Sequence, residues 1–272
     1  MDTATMRTAG VGAAAPVVTT DRLTRLRRFN LWASGLHLFQ AVAVMVLSTA
    51  FALPVTASFL AADPAGGLAS ETRTLFELQI GPAVALFLFL SALAHLLVAS
   101  PWGFRRYAAD LSRGMNRARW IEYSVSSSVM IVVISILVGI YDVAALLAIL
   151  ALNATMILFG WVMEVHNQTT ERTNWLSYWF GVFAGAIPWV AIGIYLFGPT
   201  VVGEAGPPGF VYAIFGSIFV FFNIFALNMV LQYRKVGRWS DYLFGERVYV
   251  VLSLVAKSLL AWQVFGGTLR PN

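Results

Sequence analysis

Seven long apolar runs separated by short polar segments set the pattern of this chain. The runs predict helices from about Arg28 to Ala52, Leu78 to Ser100, Arg117 to Ile140 and Val143 to Val165. Three more follow, from about Leu176 to Phe197, Phe210 to Gln232 and Gly245 to Gly266. With a rise of about 1.5 Å per residue, each can cross a hydrocarbon core about 30 Å thick. Short linkers favour one antiparallel bundle, so residues 23–270 read as a single seven-helix domain behind a disordered tail, 1–22. No internal repeat stands out, which argues against an inverted-repeat transporter. The longest polar segment, about Leu53 to Glu77, carries VTASFL, the turn signal DPAGG and ETRTLF. That order predicts a β-hairpin between the first two helices.

Composition agrees with a multi-pass membrane protein. The chain is 59% hydrophobic and 11% charged, against about 25% charged in soluble domains. Fifteen of the eighteen basic residues fall in the N-terminal segment and in every second loop after it. The excess of positive charge on cytoplasmic loops places the N-terminus in the cytoplasm and the C-terminus and hairpin outside the cell. Clustered at membrane edges, the net charge of +5 suggests lipid contact and no nucleic acid. There is no cysteine, which removes disulfides and thiolate chemistry. The three histidines lack metal-ligand spacing, so neither a metal nor an enzymatic role is expected.

One residue breaks the apolar pattern. In VVLSLVAKSLLAW, Lys257 sits near the middle of the seventh helix. A lysine at mid-span costs about 2.5–3.5 kcal/mol on insertion scales, and it is too far from either end to reach water by snorkelling. It needs an internal acid. Glu122, in RWIEYSVSSSVMIVV, is the best candidate, with Ser126 and Met130 following on its face at helical spacing. Side chains lean toward a helix N-terminus, which carries Lys257 toward the depth of Glu122. Glu164 and Glu246, nearer helix ends, are expected to be solvated.

A buried amine can condense with an aldehyde, and the resulting cation still requires a carboxylate. A mid-membrane lysine facing an acid within seven helices therefore points to a retinal protein. Met130, Met156, Trp189, Phe219 and Phe222 supply apolar and aromatic bulk suited to a polyene. Singly they are ordinary core residues; Lys257 gives them weight.

RWIEYSVSSSVMIVV, ALNATMILFGW, GFVYAIFGSIFVFFNIFAL and RVYVVLSLVAKSLLAWQVFGGTL resemble the corresponding segments of the heliorhodopsins, over about residues 24 to 270. The resemblance implies all-trans-retinal bound covalently to Lys257, with Glu122 as counterion to the protonated Schiff base. It implies that Ser126, Ser127, Met130, Asn153, Met156, Phe222 and Ser253 line or adjoin the retinal. His37, Gln40 and His95 are expected in a polar, proton-holding cavity with Glu122. A homodimer is also implied, with the hairpin reaching across and Asp142 and Tyr195 near the contact. The implied role is light sensing with a slow photocycle; the basic cytoplasmic loops could dock an unidentified signalling partner or simply meet anionic lipid.

Outward of Lys257 and of Met130, SLLAWQVFGGT and IVVISILVGIY contain no carboxylate or histidine. Ser253 stands where bacteriorhodopsin-like pumps carry an aspartate, which argues against net proton transport. Two alternatives stay open: a light-driven proton pump or light-gated channel on the same chromophore, and a retinal-free transporter. In GVFAG, Gly181 and Gly185 are spaced either for close helix approach or for room inside the bundle.

Overall fold

The computed structural model describes residues 18–62 and 66–270. Helix α1, Thr20–Leu47, leads into the antiparallel strands β1, Ala52–Ala62, and β2, Leu68–Gln79. Helix α2, Ile80–Ala99, and the short α3, Pro101–Ser112, follow. The remaining helices are α4, Arg117–Leu137, α5, Val143–His166, α6, Leu176–Val201, α7, Gly209–Tyr233, and α8, Tyr242–Val264. A π-helical turn, Phe265–Leu269, completes α8. Seven of these helices are long and apolar enough to cross a membrane; α3 is not among them. The protein is thus a multi-pass, mostly helical membrane bundle.

The hairpin and the arginine-rich segments mark opposite ends of the bundle. At the hairpin end, Thr49 N–H donates to the Leu269 carbonyl and Thr56 N–H to the Tyr141 carbonyl. These bonds tie the α1–β1 linker to the end of α8 and β1 to the turn between α4 and α5. At the basic end, α3 packs Phe104, Tyr107 and Leu111 against Leu26 of α1 and Leu243 of α8. Tyr107 is buried there, and burial pushes its phenol pKa up. The main apolar core lies toward the hairpin end, around Phe87, Leu88, Ile131, Ile134, Ile192, Ile214 and Leu260.

Several boundaries differ from the apolar runs. Helix α1 begins at Thr20, eight residues before the expected start, because Thr19 Oγ1 accepts the Arg22 amide and caps it. Thr20 to Arg22 therefore belong to a helix; the rest of the expected tail, through residue 17, lies outside the described residues. The same helix stops at Leu47 and leaves Ala52 to β1. Helix α4 stops at Leu137, short of the expected Ile140. Gly139 takes φ +100° there, while Ile140 N–H reaches the Ser135 carbonyl and Gly139 N–H the Ile136 carbonyl. That is a Schellman closure, which glycine enters without steric cost. Helix α3 was not expected, because twelve residues rich in arginine carry no long apolar run.

Candidate functional site

Three helices bring the site's polar centre together. Lys257 of α8 places Nζ 2.6 Å from Glu122 Oε1 of α4 and 2.9 Å from Ser253 Oγ, one turn earlier on α8. Ser91 of α2 donates to the same Glu122 oxygen at 2.6 Å. The side chains of Lys257 and Glu122 are 4% and 7% exposed, so this ion pair stands almost wholly out of solvent. Tyr123 turns its ring toward the ammonium, with Nζ 5.2 Å from the ring centre. A buried pair of this kind holds only when further hydrogen bonds satisfy both charges, and Ser91 and Ser253 supply them.

Beside Lys257 opens a cavity of about 500 Å³. Ser127, Met130, Met156, Trp189, Phe219, Phe222 and Ser253 all line it. The Trp189 ring meets Phe215, Phe219 and Phe222 edge-on at 5.2–5.6 Å between ring centres. This arrangement builds one rigid aromatic wall from α6 and α7. The volume is that of a small-molecule pocket, and the lysine amine is the reactive group at its polar end. The residues therefore fit an apolar aldehyde joined to Lys257.

The remaining expected residues lie next to this cavity or apart from it. Glu122, Ser126 and Asn153 do not line it. Glu122 meets it through Lys257, and Asn153 through Ser127, whose Oγ accepts from Asn153 Nδ2 at 2.8 Å. Ser128 accepts from the same amide at 3.1 Å. Ser126 is buried on α4, one turn from Glu122. Gly181 and Gly185 line the cavity and also abut α5. A Cβ on Gly181 would sit 3.2 Å from the Met156 carbonyl oxygen, and one on Gly185 would strike Met156 Sδ at 2.2 Å. Close approach of α6 to α5 thus requires glycine at 181, where backbone is the neighbour, whereas at 185 the neighbour is the flexible Met156 side chain.

His37 and His95 stack, their ring centres 5.7 Å apart and their planes within 10°. His95 Nδ1 pairs with Asn30 Oδ1 at 2.7 Å, whereas His37 is fully buried with neither ring nitrogen hydrogen-bonded. Gln40 is buried on α1, one turn further on. A second cavity, about 40 Å³, is lined by His95 and Glu122 together with Asn30, Tyr107, Asn116, Arg119 and Glu246; His37 and Gln40 do not line it. Asp142 caps α5 by accepting the Ala145 amide at 3.0 Å. It pairs with Thr56 of the hairpin. Tyr195 is half exposed beside the Gly139 turn, so Asp142 and Tyr195 share the hairpin end.

The structure corrects the expectation that Glu164 and Glu246 are solvated. Both are buried, at 3% and 1% exposure, because Arg119 of α4 reaches each of them. Its guanidinium pairs with Glu246 Oε1 and, at 3.2 Å, with Glu164 Oε1. The Tyr249 and Trp120 rings cover it at 3.9 and 4.3 Å. Trp120 Nε1 and the Asn116 amide donate to Glu164 Oε2 at 2.6 and 2.9 Å. Arg119 spends its charge on these two acids and leaves Glu122 to Lys257.

Sequence reasoning also missed Ser91, Asn30 and Tyr123. Ser91 carried a faint signal: it is the polar residue one helical turn before His95 in an otherwise apolar run. The pairing of Asn30 with His95 spans two helices and leaves no local trace.

The heliorhodopsin family profile matches residues 26–269. No curated protein sequence matches the chain. Among solved structures, the fold is similar to that of a light-driven proton pump from Leptosphaeria maculans, with a TM-score of 0.61 over 93% of this chain and 97% of that one. At 15% identity that likeness shows the seven-helix architecture and nothing finer.

Proposed function

The chain belongs to the heliorhodopsin family, and from that premise we propose that it is a light-sensing membrane protein carrying all-trans-retinal on Lys257. The observation that carries this reading is the Lys257–Glu122 pair, 2.6 Å apart at the polar end of the aromatic cavity. Bound there as a protonated Schiff base, retinal supplies light absorption and isomerisation. The protein's own residues do the rest. Glu122 holds the cationic nitrogen, Ser91 and Ser253 fix the two partners, and the Trp189 wall sets the path of the chain. Met130 and Met156 exclude water from it, and Ser127 ties Asn153 to its wall.

We assign the protein little or no ion transport. A pump needs proton-exchanging groups on both sides of the lysine. Among the described residues, the buried carboxylates Asp110, Glu164 and Glu246 lie toward the basic end with Asn30, Asn116 and Arg119; toward the hairpin end the core around Ile134, Leu260 and Val264 holds the hydroxyl of Ser135 but no buried carboxylate or histidine. A proton released at Lys257 has acceptors on one side only, namely Glu122 and the groups around His95, and returns the way it left. The proposed topology puts the basic end in the cytoplasm and the hairpin outside. A homodimer through the hairpin end, near Asp142 and Tyr195, and a cytoplasmic signalling partner complete the reading. No enzymatic step is assigned.

The test is spectroscopic. The purified protein should gain a visible absorption band when all-trans-retinal is added, and Lys257→Ala should stay colourless. Vesicles holding the pigment should then show no sustained light-driven pH change. A missing band defeats the retinal assignment; a sustained pH change that a protonophore abolishes restores the pump.

A further inference from the structure

We infer that the outward face of α3, with Arg27 and Arg28 of α1 beside it, is a docking surface for anionic phospholipid headgroups at the basic end of the bundle. The inference rests on the membrane reading above and needs neither the chromophore nor the proposed orientation. Helix α3 buries Tyr107, Asp110 and Leu111 against the protein. Helical spacing then turns Trp102, Arg105, Arg106, Ala109 and Arg113 outward on one exposed stripe. Asp110 is already occupied, since Arg113 and Arg117 both donate to it. Among the described residues, no carboxylate pairs with Arg27, Arg28, Arg105 or Arg106. Their charge is left for something outside the chain.

Depth in the membrane selects lipid as the occupant. Arg27 Nε donates to the Ala99 carbonyl at 2.7 Å, and its guanidinium lies 5.0 Å from the Phe104 ring centre. These contacts set α1 beside the junction of α2 and α3. Leu96 and Leu97, half exposed, end the lipid-facing side of α2, and Trp102 follows at 62% exposure. On α1, Trp32 is 80% exposed one turn inward of Arg28. Tryptophan settles where hydrocarbon meets headgroups, so these two rings mark the level of the bilayer edge. The guanidinium of Arg106 stacks over the Trp102 ring at 4.5 Å, and Arg28 lies about 6 Å beyond Trp32 along the helix axis. Lipid phosphates lie at that level, and a guanidinium grips phosphate through paired N–H donors. A soluble acidic protein would have to displace headgroups to reach the same stripe.

Because the native chain has no cysteine, a dye on Ala109→Cys reports from the stripe itself. The measurement uses retinal-free, full-length protein in phosphatidylcholine nanodiscs. Energy transfer from the dye to trace acyl-labelled phosphatidylglycerol should exceed transfer to acyl-labelled phosphatidylcholine, and high salt should bring the ratio toward one. Arg105→Gln with Arg106→Gln should lower the preference by roughly fivefold for each charge removed. Arg105→Lys with Arg106→Lys should keep it above one, which separates lost charge from lost fold. Arg172→Gln with Lys235→Gln, equal in charge but on other loops, should leave it unchanged. A native ratio of one overturns the inference and leaves the stripe to a soluble partner. Survival of the preference in the α3 Gln pair, its loss in the Lys pair, or equal losses in the two Gln pairs overturns it as well. None of these results touches the retinal assignment, which the visible band decides separately.

Discussion

Ser91 of α2 and Lys257 of α8 donate to one and the same oxygen, Oε1 of Glu122, each at 2.6 Å. The acid on α4 is thereby gripped from two neighbouring helices, and the bundle is pinned at its polar centre. Ser91→Ala removes one donor and leaves the carboxylate oxygen short of a partner. A hydrogen bond to a charged group is worth about 1.5–3 kcal/mol. The expected outcome is a loss of that order in thermal or denaturant unfolding of the retinal-free protein, with no new cavity large enough to explain it otherwise.

Glu122→Gln tests the counterion itself. Removing the anion leaves the buried cation at Lys257 unpaired, a change of about 3–5 kcal/mol. One pH unit corresponds to about 1.36 kcal/mol, so the retinal-bound variant should lose its visible band at a pH at least about 2 units lower than wild type. The sign follows from the charge: the anion favours the protonated nitrogen, and its loss favours deprotonation. Alkaline titration of the band measures it, and an unchanged midpoint would remove Glu122 from the counterion role.

Gly181→Val should separate α6 from α5. The added Cβ lies 3.2 Å from the Met156 carbonyl and 3.3 Å from Phe159 Cβ, and backbone cannot swing aside. Overpacking of this kind costs about 1–3 kcal/mol. Gly185→Ala meets only the Met156 side chain, which can rotate into the cavity. The first variant should lower the unfolding temperature, and the second should mainly displace the absorption maximum.

The native chain has no cysteine, so single introduced thiols report topology without background. Thr72→Cys, on the exposed strand β2, should react with a membrane-impermeant maleimide in intact cells. Arg113→Cys, at the exposed end of α3, should react only after permeabilisation. The reverse pattern would invert the proposed orientation.

The elements of this protein were largely legible in its sequence because the bilayer imposes a one-dimensional rule: an apolar run near twenty residues must be a helix. The seven spans obey it, the hairpin was marked by its own turn signal, and the solitary mid-span Lys257 announced a partner. The errors fall where that rule stops. Thr19 caps α1 inside a basic, polar stretch, and α3 is amphipathic and lies outside the spans.

Which acids pair with which cations was decided only by tertiary structure. Glu122 and Arg119 lie three residues apart on α4, close enough for a local pair, and Glu164 and Glu246 look like exposed helix ends. Packing of α4, α5 and α8 sends Arg119 to the latter two and Glu122 to Lys257. An ion pair depends on where side chains converge in space, and spacing along one helix does not contain that information. Length and hydropathy determined the spans; the convergence of separate helices determined the chemistry between them.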